Sequence, residues 1–336
     1  MGSVPATLLL TQHDVARLVD VVVAIRVVRE ASKAMARGQA AMPPKLYLPL
    51  PRESDLRAMP AALAHPAACG IKWVNVHPHN RPRGLPTVMA LIVLNDPATG
   101  FPLAVMDGLL ITKLRTAAAS AVATHALAAR ASRIVALVGC GAQADAQLLA
   151  LAAVRRVEQV RVWGYLPREA SRFCRRMRKR LPESVFRPCK TVEEAVRGAH
   201  VVTTLTPSHQ PLVKRAWLAP GTHLNAVGAD APGKQELEAQ VLRDALVVVD
   251  ERKQAIHGGE LNVSVAHGQF DPARIHATLG EVLLGRKPGR RLPQQLTVFD
   301  STGLAIHDIA LAHEAFQRAR HRGLGRRLRF FDPRVV

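Results

Sequence analysis

The sequence predicts an α/β protein of two domains: a doubly wound parallel sheet and a smaller α+β domain. After about residue 115, apolar strands alternate with helices, which is typical of a parallel sheet with helices on both faces. Between residues 43 and 110, short apolar runs follow one another and are separated by Pro, Gly and Asn, which predicts a mixed or antiparallel sheet. A chain of 336 residues is long enough to build both domains.

The smaller domain is expected over residues 1–114. Residues 11–38 are predicted as one helix, because Thr11 can cap it, apolar residues recur at helical spacing and Gly38 can end it. A helix is also expected from Gly303 onwards; as residues 304–330 it would pack back on this domain, and the basic stretch from Arg318 is expected to be a solvated or disordered end. The predicted strands are residues 45–50, 70–76, 87–95 and 102–107.

The larger domain is expected over residues 115–303. It begins with an Ala-rich helix at residues 113–130, which is followed by a buried strand at 133–139 and a helix at 142–154. A strand at 160–163 and a basic helix from Pro167 come next. Further strands are predicted at residues 199–204, 222–227 and 245–250.

A glycine-rich motif lies between the first strand and helix of this larger domain. Residues 139–144 (GCGAQA) fit the pattern G-x-G-x-x-G/A, and a position between a strand and a helix is the context that supports a dinucleotide-binding turn. Gly139 would permit the tight turn, Gly141 the close approach of a pyrophosphate, and Ala144 the packing of helix on strand. The larger domain is therefore predicted to be a Rossmann-type dinucleotide-binding domain.

The residues after the second strand bear on the choice between NAD and NADP. An acid is expected there when the cofactor is NAD, but Trp163 is followed by Gly164, Tyr165 and Leu166. Arg168 lies shortly beyond, and a nearby arginine favours a 2′-phosphate. The sequence thus predicts NAD or NADP and favours NADP slightly.

Composition argues against several other classes of protein. The formal net charge is +20, but most of the excess is scattered Arg and only 4% of residues are aromatic, so no specific nucleic-acid partner is expected. No run approaches the ~20 apolar residues of a membrane span, and no secretion signal is recognised. The four cysteines form no CxxC pair, which predicts a cytoplasmic setting. The histidines lack metal-ligand spacing, so no metal is expected.

Three stretches carry residues suited to chemistry. Lys72 lies inside an apolar strand, Arg115 and Thr116 lie in an Ala-rich helix, and Asp230 follows a strand of the larger domain. Loops beyond the carboxyl ends of such strands face the cofactor, where a carboxylate is well placed to transfer protons. Each residue alone also has an ordinary explanation: a snorkelling lysine, a salt-bridged arginine or a turn-capping aspartate.

Together these stretches resemble the ornithine cyclodeaminase/mu-crystallin family, from about residue 42 to about residue 308. Within the family, the segments at 228–237 and 257–262 resemble most the archaeal-type alanine dehydrogenases, because alanines flank Asp230 where cyclodeaminases usually carry Gly and Cys. The resemblance also implies a homodimer formed through the smaller domain. The matching segments are residues 42–45 (MPPK), 70–72 (GIK), 85–87 (LPT), 114–120 (LRTAAAS), 139–143 (GCGAQ), 228–237 (GADAPGKQEL), 257–262 (HGGELN) and 300–303 (DSTG).

The resemblance implies a role for each matching residue. Arg115 would hold the substrate carboxylate, and Lys72 would help to bind it or would relay a proton. Asp230 would be the catalytic acid and base. Lys45 and Thr87 would line the substrate pocket, although many relatives have arginine at the position of Lys45. The residues expected to bind the cofactor are Thr116, Gly139, Gly141, Ala142, Gln143, Tyr165, Arg168, Thr204, Val227 and Gly303.

The expected function is oxidative deamination of L-alanine to pyruvate and ammonia, and its reverse. Hydride would leave the α-carbon for the cofactor, and a water activated by Asp230 would attack the resulting imine. Three alternatives stay open at this point. They are conversion of ornithine to proline and ammonia, reduction of a cyclic imine such as pyrroline-2-carboxylate, and a non-enzymatic, crystallin-like binding role.

Overall fold

A computed structural model describes residues 5–331, so residues 1–4 of the expected smaller domain lie outside the described part. Its contacts divide the chain into two compact units. The described residues up to Arg115, together with those from Leu304 onwards, form the first unit. The second unit comprises Thr116–Gly303.

The strands and helices are as follows in chain order. The strands are β1 (Thr7–Leu10), β2 (Ala40–Ala41), β3 (Leu46–Leu50), β4 (Ser54–Leu63), β5 (Ala68–Val76), β6 (Val88–Asn95), β7 (Pro102–Asp107), β8 (Ile134–Val138), β9 (Gln159–Trp163), β10 (Val185–Pro188), β11 (Val201–Thr204), β12 (His223–Ala226), β13 (Leu246–Val249), β14 (Ala277–Thr278), β15 (Thr297–Asp300) and β16 (Arg326–Leu328). The α-helices are α1 (Gln12–Leu18), α2 (Val21–Ala36), α3 (Leu109–Leu127), α4 (Ala144–Val154), α5 (Pro167–Arg178), α6 (Val192–Val196), α7 (Ala239–Asp244), α8 (Arg252–Gly258), α9 (Leu261–Ala266), α10 (Leu279–Leu283) and α11 (Ala305–Arg322). Short 3-10 helices lie at Pro78–Arg83, Arg215–Trp217 and Pro272–Arg274.

The first unit contains a mixed sheet with the strand order β16-β1-β7-β6-β5-β4-β2, and β3 pairs with β4. β1 runs parallel to β7, whereas the other pairs are antiparallel. The mixed sheet expected here is confirmed. The long strand β4 was missing from the sequence prediction, because Asp55, Arg57 and Pro60 interrupt its apolar pattern.

Helix α11 covers one face of this sheet and packs on β4, β5, β6 and α2. Its residues Ala305–Ala312 are all buried. Gly70 of β5 allows the helix to come close, since a Cβ atom there would lie 3.2 Å from Cδ1 of Ile309. The C-terminal part of the chain therefore completes the core of the first unit.

Two expectations for the first unit need correction. Residues 11–38 do not form one helix, because Asp20 starts α2 by accepting a hydrogen bond from the Val23 amide at 2.9 Å. Thr11 caps α1 as predicted. The stretch from Arg318 is not simply a disordered end: Arg318 lies in α11 and donates to the Leu18 carbonyl at 3.0 Å. β16 then pairs with β1.

The second unit contains a parallel sheet with the strand order β10-β9-β8-β11-β12-β15-β13-β14. Every pair in it is parallel, which confirms the doubly wound sheet. The strand order reverses between β8 and β11, and ligands of such sheets bind at the carboxyl ends of the strands beside this reversal. No helix among residues 5–331 is long and apolar enough to cross a membrane.

Candidate active site

The first unit buries two cations around one carboxylate. Nζ of Lys72, on β5, donates to Oδ2 of Asp308 at 2.8 Å, and Nε of Arg115, on α3, donates to Oδ1 of the same residue at 3.0 Å. The exposed fractions of these three residues are 1%, 6% and 0%, in the order Lys72, Arg115, Asp308. We call these three residues the cation cluster.

The local folds explain why these side chains meet. Alternate residues of β5 face α11, and this places Lys72 on the same covered face as Gly70 and Val74. Asp308 lies in the first turn of α11. With both cations charged and Asp308 ionised, the cluster carries a net charge of about +1, which favours an added carboxylate.

The cation cluster shifts the pKa values of its members. Burial, and then the charge of Arg115, lower the pKa of Lys72 to about 7, although Asp308 acts in the opposite direction. Burial alone would raise the pKa of Asp308, but the cations of Arg115 and Lys72 hold it below its usual value. Lys72 can therefore gain or lose a proton near neutral pH.

His307, the neighbour of Asp308 in α11, is a buried histidine that the sequence analysis does not indicate. Nε2 of His307 is 3.0 Å from Oγ of Ser32, and Ser32 in turn donates to the Val28 carbonyl at 2.8 Å. Burial, and then the charge of Arg115, lower the pKa of His307 to about 3. His307 is therefore neutral at physiological pH and adds no charge beside Asp308.

Lys45 and Thr87 are the other predicted substrate-binding residues. Lys45 is half-buried just before β3, and its charge contributes to the lowered pKa of Lys72. Thr87 is half-buried just before β6, and its carbonyl accepts a hydrogen bond from the His77 amide at 2.7 Å. Lys45 thus adds positive charge around the cation cluster.

Asp308 is the anion of the cation cluster, and the sequence analysis does not single it out. A signal existed, because a lysine inside an apolar strand, such as Lys72, needs a counter-ion if it is buried while charged. The partner could not be chosen from the sequence, since Asp308 lies 236 positions after Lys72.

The glycine-rich loop of the second unit has room for a dinucleotide. Gly139 is buried with φ of +108°, and a Cβ atom there would lie 2.9 Å from the Leu205 carbonyl oxygen. A Cβ atom at Gly141 would meet no protein atom within 4 Å, and Gly141 and Ala142 are exposed. Gln143 does not cap α4 with its side chain. The loop thus leaves space and helix N-terminal amides for a pyrophosphate.

The segment after β9 presents two predicted cofactor residues to solvent. Tyr165 is 87% exposed, and Arg168, in the first turn of α5, is exposed as well. Gly164 is restricted to glycine, because a Cβ atom there would lie 2.5 Å from Sγ of Cys140. The exposed side chains of Tyr165 and Arg168 are accessible to a ligand.

The remaining predicted cofactor residues are largely buried. Thr204 ends β11 and is fully buried, and its carbonyl accepts from the Val227 amide at 3.2 Å. The Gly303 amide donates to Oδ2 of Asp250 at 2.7 Å. Thr116, on α3, is 7% exposed. Thr204 and Val227 thus mark the carboxyl ends of the neighbouring strands β11 and β12.

Asp230 lies in the loop that follows β12, and its side chain is 35% exposed. Its Oδ1 accepts a hydrogen bond from Nζ of Lys234 at 2.6 Å. This lysine is not among the residues that the sequence analysis predicts for the site. Among residues 5–331, no group of three His, Cys, Asp or Glu side chains could hold a metal ion.

The chain is similar to known proteins over nearly its whole length. Alanine dehydrogenase of Archaeoglobus fulgidus is 46% identical over 325 residues, which cover 97% of this chain and 99% of that protein. The structure of an archaeal alanine dehydrogenase dimer with bound NAD matches with a TM-score of 0.93 at 45% identity, covering 97% of this chain and 100% of that one.

A second solved structure is nearly as similar. It is the Delta(1)-pyrroline-2-carboxylate reductase of Thermococcus litoralis in complex with NADH and L-proline, with a TM-score of 0.93 and 34% identity, covering 96% of this chain and 100% of that one. The profile of the ornithine cyclodeaminase/mu-crystallin family matches residues 6–323. The chain therefore belongs to the ornithine cyclodeaminase/mu-crystallin family.

Proposed function

We propose that this protein is a NAD(P)-dependent dehydrogenase that oxidises L-alanine to pyruvate and ammonia and catalyses the reverse reaction. The observation that carries this proposal is the cation cluster, a buried group with net positive charge in a chain similar throughout to an alanine dehydrogenase. A buried positive charge suits the carboxylate shared by alanine and pyruvate.

Arg115 and Lys72 are proposed to bind the substrate carboxylate. Asp308 accepts from Nε of Arg115, and the planar end of a guanidinium can then form a fork with a carboxylate. Lys72, with its pKa near 7, can add a second contact when protonated or accept a proton when neutral. Lys45 would add positive charge at the same group.

A nicotinamide cofactor, when bound, takes hydride from the α-carbon of the substrate or returns it. Gly139, Gly141, Ala142 and Gln143 would hold its pyrophosphate through backbone amides. Further contacts are proposed for Thr116, Tyr165, Arg168, Thr204, Val227 and Gly303. The structures of relatives with bound NAD or NADH support NAD, whereas the exposed Arg168 supports acceptance of NADP.

Asp230 is proposed as the catalytic acid and base. Nζ of Lys234 donates to its carboxylate at 2.6 Å, and a carboxylate held in this way can take a proton from water. That water would attack the imine carbon, and the carbinolamine would collapse to ammonia and the 2-oxo acid. In reductive amination the same carboxyl would return the proton.

Reduction of pyrroline-2-carboxylate is the second candidate function. It is favoured by the similarity to a reductase solved with NADH and L-proline, at 34% identity over nearly the whole chain. A cyclic imine also carries one carboxylate and would use Arg115 and Lys72 in the same way.

The protein is also proposed to form a homodimer through the uncovered face of the first unit's sheet. Ala58, Trp73 and Leu91 lie in register across β4, β5 and β6 on this face, and Trp73 and Leu91 are 46% and 56% exposed. An apolar sheet face of this kind favours association with a partner. Trp73→Glu should shift the protein to monomer in sedimentation, whereas Val22→Glu, at a solvent-exposed position of α2, should not.

An absorbance assay at 340 nm tests the proposed function. Reduced cofactor should form from L-alanine with NAD or NADP, and it should be consumed with pyruvate and ammonia. Faster oxidation of NADH with pyrroline-2-carboxylate than with pyruvate and ammonia would establish the reductase instead. Proline formed from ornithine without net absorbance change would identify a cyclodeaminase, and failure to bind either reduced cofactor would overturn the enzymatic function.

A further inference from the structure

A buried carboxylate in the second unit ties together the loops that follow two neighbouring strands. Glu236 is fully buried. Its Oε1 accepts hydrogen bonds from the amide and the hydroxyl of Thr206, at 2.6 and 2.7 Å, and its Oε2 accepts from the Gly228 amide at 2.8 Å. Thr206 follows β11 and Gly228 follows β12, so we call Glu236, Thr206 and Gly228 the loop brace.

The loop brace is packed too tightly to move freely. A Cβ atom at Gly228 would contact the Thr206 carbonyl oxygen and would lie 2.6 Å from the carboxyl carbon of Glu236. Only glycine therefore lets the carboxylate reach both loops. The two loops are fixed relative to each other by one side chain.

The brace is continuous with the proposed cofactor and catalytic residues. A Cβ atom at Gly139 of the glycine-rich loop would lie 3.1 Å from Cγ2 of Thr206, so the position of Thr206 bears directly on that loop. On the other side, Asp230 follows Gly228 by two residues. One carboxylate thus holds the segments on which the dinucleotide loop rests and from which Asp230 extends.

A second buried carboxyl, that of Glu260, binds the backbone at Glu236. Its Oε1 accepts from the backbone amides of Glu236 and Leu237 at 2.9 and 2.6 Å. Burial, and then the charge of Glu236, raise the pKa of Glu260 well above its usual value. The raised pKa favours the neutral form of Glu260, and its Oε1 fixes the backbone of Glu236 and Leu237.

We propose that Glu236 is a positioning residue for this enzyme: by holding Thr206 and Gly228, it sets the geometry of the cofactor loop and of Asp230. This rests on the proposed function, since it assumes that the glycine-rich loop binds a dinucleotide. Glu236 itself contacts neither substrate nor cofactor in this proposal.

The test is the affinity for NADH, measured by nicotinamide fluorescence on the full chain. Glu236→Gln keeps the shape of the side chain but turns an NH₂ group toward N–H donors, and NADH should bind about tenfold to hundredfold more weakly. Thr206→Val removes one hydroxyl donor, keeps the methyl group beside Gly139, and should weaken binding by about threefold to tenfold. The fall in kcat should accompany the loss of affinity in Glu236→Gln.

Glu238→Gln is the matched control, because Glu238 accepts from the Arg215 amide at 2.8 Å and lies outside the brace; its NADH affinity should equal that of the parent. A folded Glu236→Gln protein that binds NADH and turns over as the parent does would overturn the proposal. If Glu236→Gln does not fold, an NADH affinity of Thr206→Val equal to that of the parent would also overturn the proposal. Failure of the parent protein to bind NADH or NADPH would instead overturn the proposed function.

Discussion

The two units keep charged groups in their interiors by different means. In the first unit, Asp308 is paired with two cations, Lys72 and Arg115. In the second unit, Glu236 and Glu260 are held by backbone amides and a hydroxyl group. The first arrangement has excess positive charge, whereas in the second burial raises the pKa of both carboxyls and so disfavours their ionisation.

This difference distinguishes the cation cluster, which can bind a ligand, from the two buried glutamates, which stabilise the loops around them. A cluster with net positive charge is stabilised by an incoming carboxylate, so its energy changes when substrate binds. A carboxylate that already accepts all its hydrogen bonds from the chain gains nothing from a ligand and acts through rigidity. Four substitutions test this contrast.

The largest effect is expected for Asp308→Asn, which leaves two buried cations without their shared anion. Unfolding free energy should fall by about 3–5 kcal/mol, measured by urea unfolding at pH 5.5. The variant lowers the pKa of Lys72 below its parent value of about 7. In the folded variant Lys72 therefore loses its proton at lower pH than in the parent. The difference in unfolding free energy between parent and variant should narrow as the pH rises from 5.5 toward 7. A deficit that grows over this interval would contradict the charge assignment.

A smaller effect is expected for Arg115→Lys, which keeps the charge of the cation cluster but loses the fork. The KM for pyruvate should rise about tenfold to hundredfold, because a lysine cannot form two parallel hydrogen bonds with a carboxylate. The Kd for NADH should stay unchanged. Equal losses of pyruvate and NADH affinity would mean that Arg115 supports the fold and not the substrate.

Binding of pyruvate to the NADH complex without ammonia should take up a fraction of one proton at pH 7.5. The carboxylate favours protonated Lys72, whose pKa of about 7 leaves it partly neutral beforehand. Calorimetry in buffers of different ionisation enthalpy measures this uptake. Lys72→Met should abolish it, and uptake that persists in the variant would assign the proton to another group.

The smallest effect is expected for Glu260→Gln at low pH, because a neutral amide replaces a carboxyl whose raised pKa favours the protonated form. Unfolding free energy at about pH 4, where the carboxyl is largely protonated in the folded and the unfolded chain, should change by no more than about 1 kcal/mol. The pKa of Glu260 in the folded protein lies above the unfolded value of 4.5. The unfolding free energy of the parent therefore falls as the pH rises above 4.5, whereas that of the variant does not. The variant should therefore become more stable relative to the parent as the pH rises. If it becomes less stable relative to the parent, Glu260 is ionised in the folded protein.

The sequence predicted the features that depend on neighbouring residues. Gly139, Gly141 and Ala144 lie between a strand and a helix as expected, because the turn chemistry is local. β4 was missed because Pro60 and two charged residues interrupt its alternation. The sequence predicts one helix over residues 11–38 because Asp20 is a single polar residue within an apolar run. Only the hydrogen bond from the Val23 amide to Asp20 shows the break.

The candidate site was less accessible to sequence reasoning, because its partners are far apart in the chain. Lys72 was singled out as a cation in an apolar strand, but its anion, Asp308, arrives from another element. Glu236 was visible within a family-like segment, yet its bonds to Thr206, 30 positions earlier, depend on the tertiary fold. A buried charged residue can be recognised in a sequence, whereas the residues that pair with it can be identified only from the structure.

The return of α11 to the first unit has a consequence for synthesis on the ribosome. Thr116–Gly303 can complete its sheet as soon as those residues have emerged, since domains generally fold as units during translation. The first unit must wait for Asp308 and for β16, which come from the end of the chain. Until then Lys72 and Arg115 lack their counter-ion, so the part made first is among the last to become native.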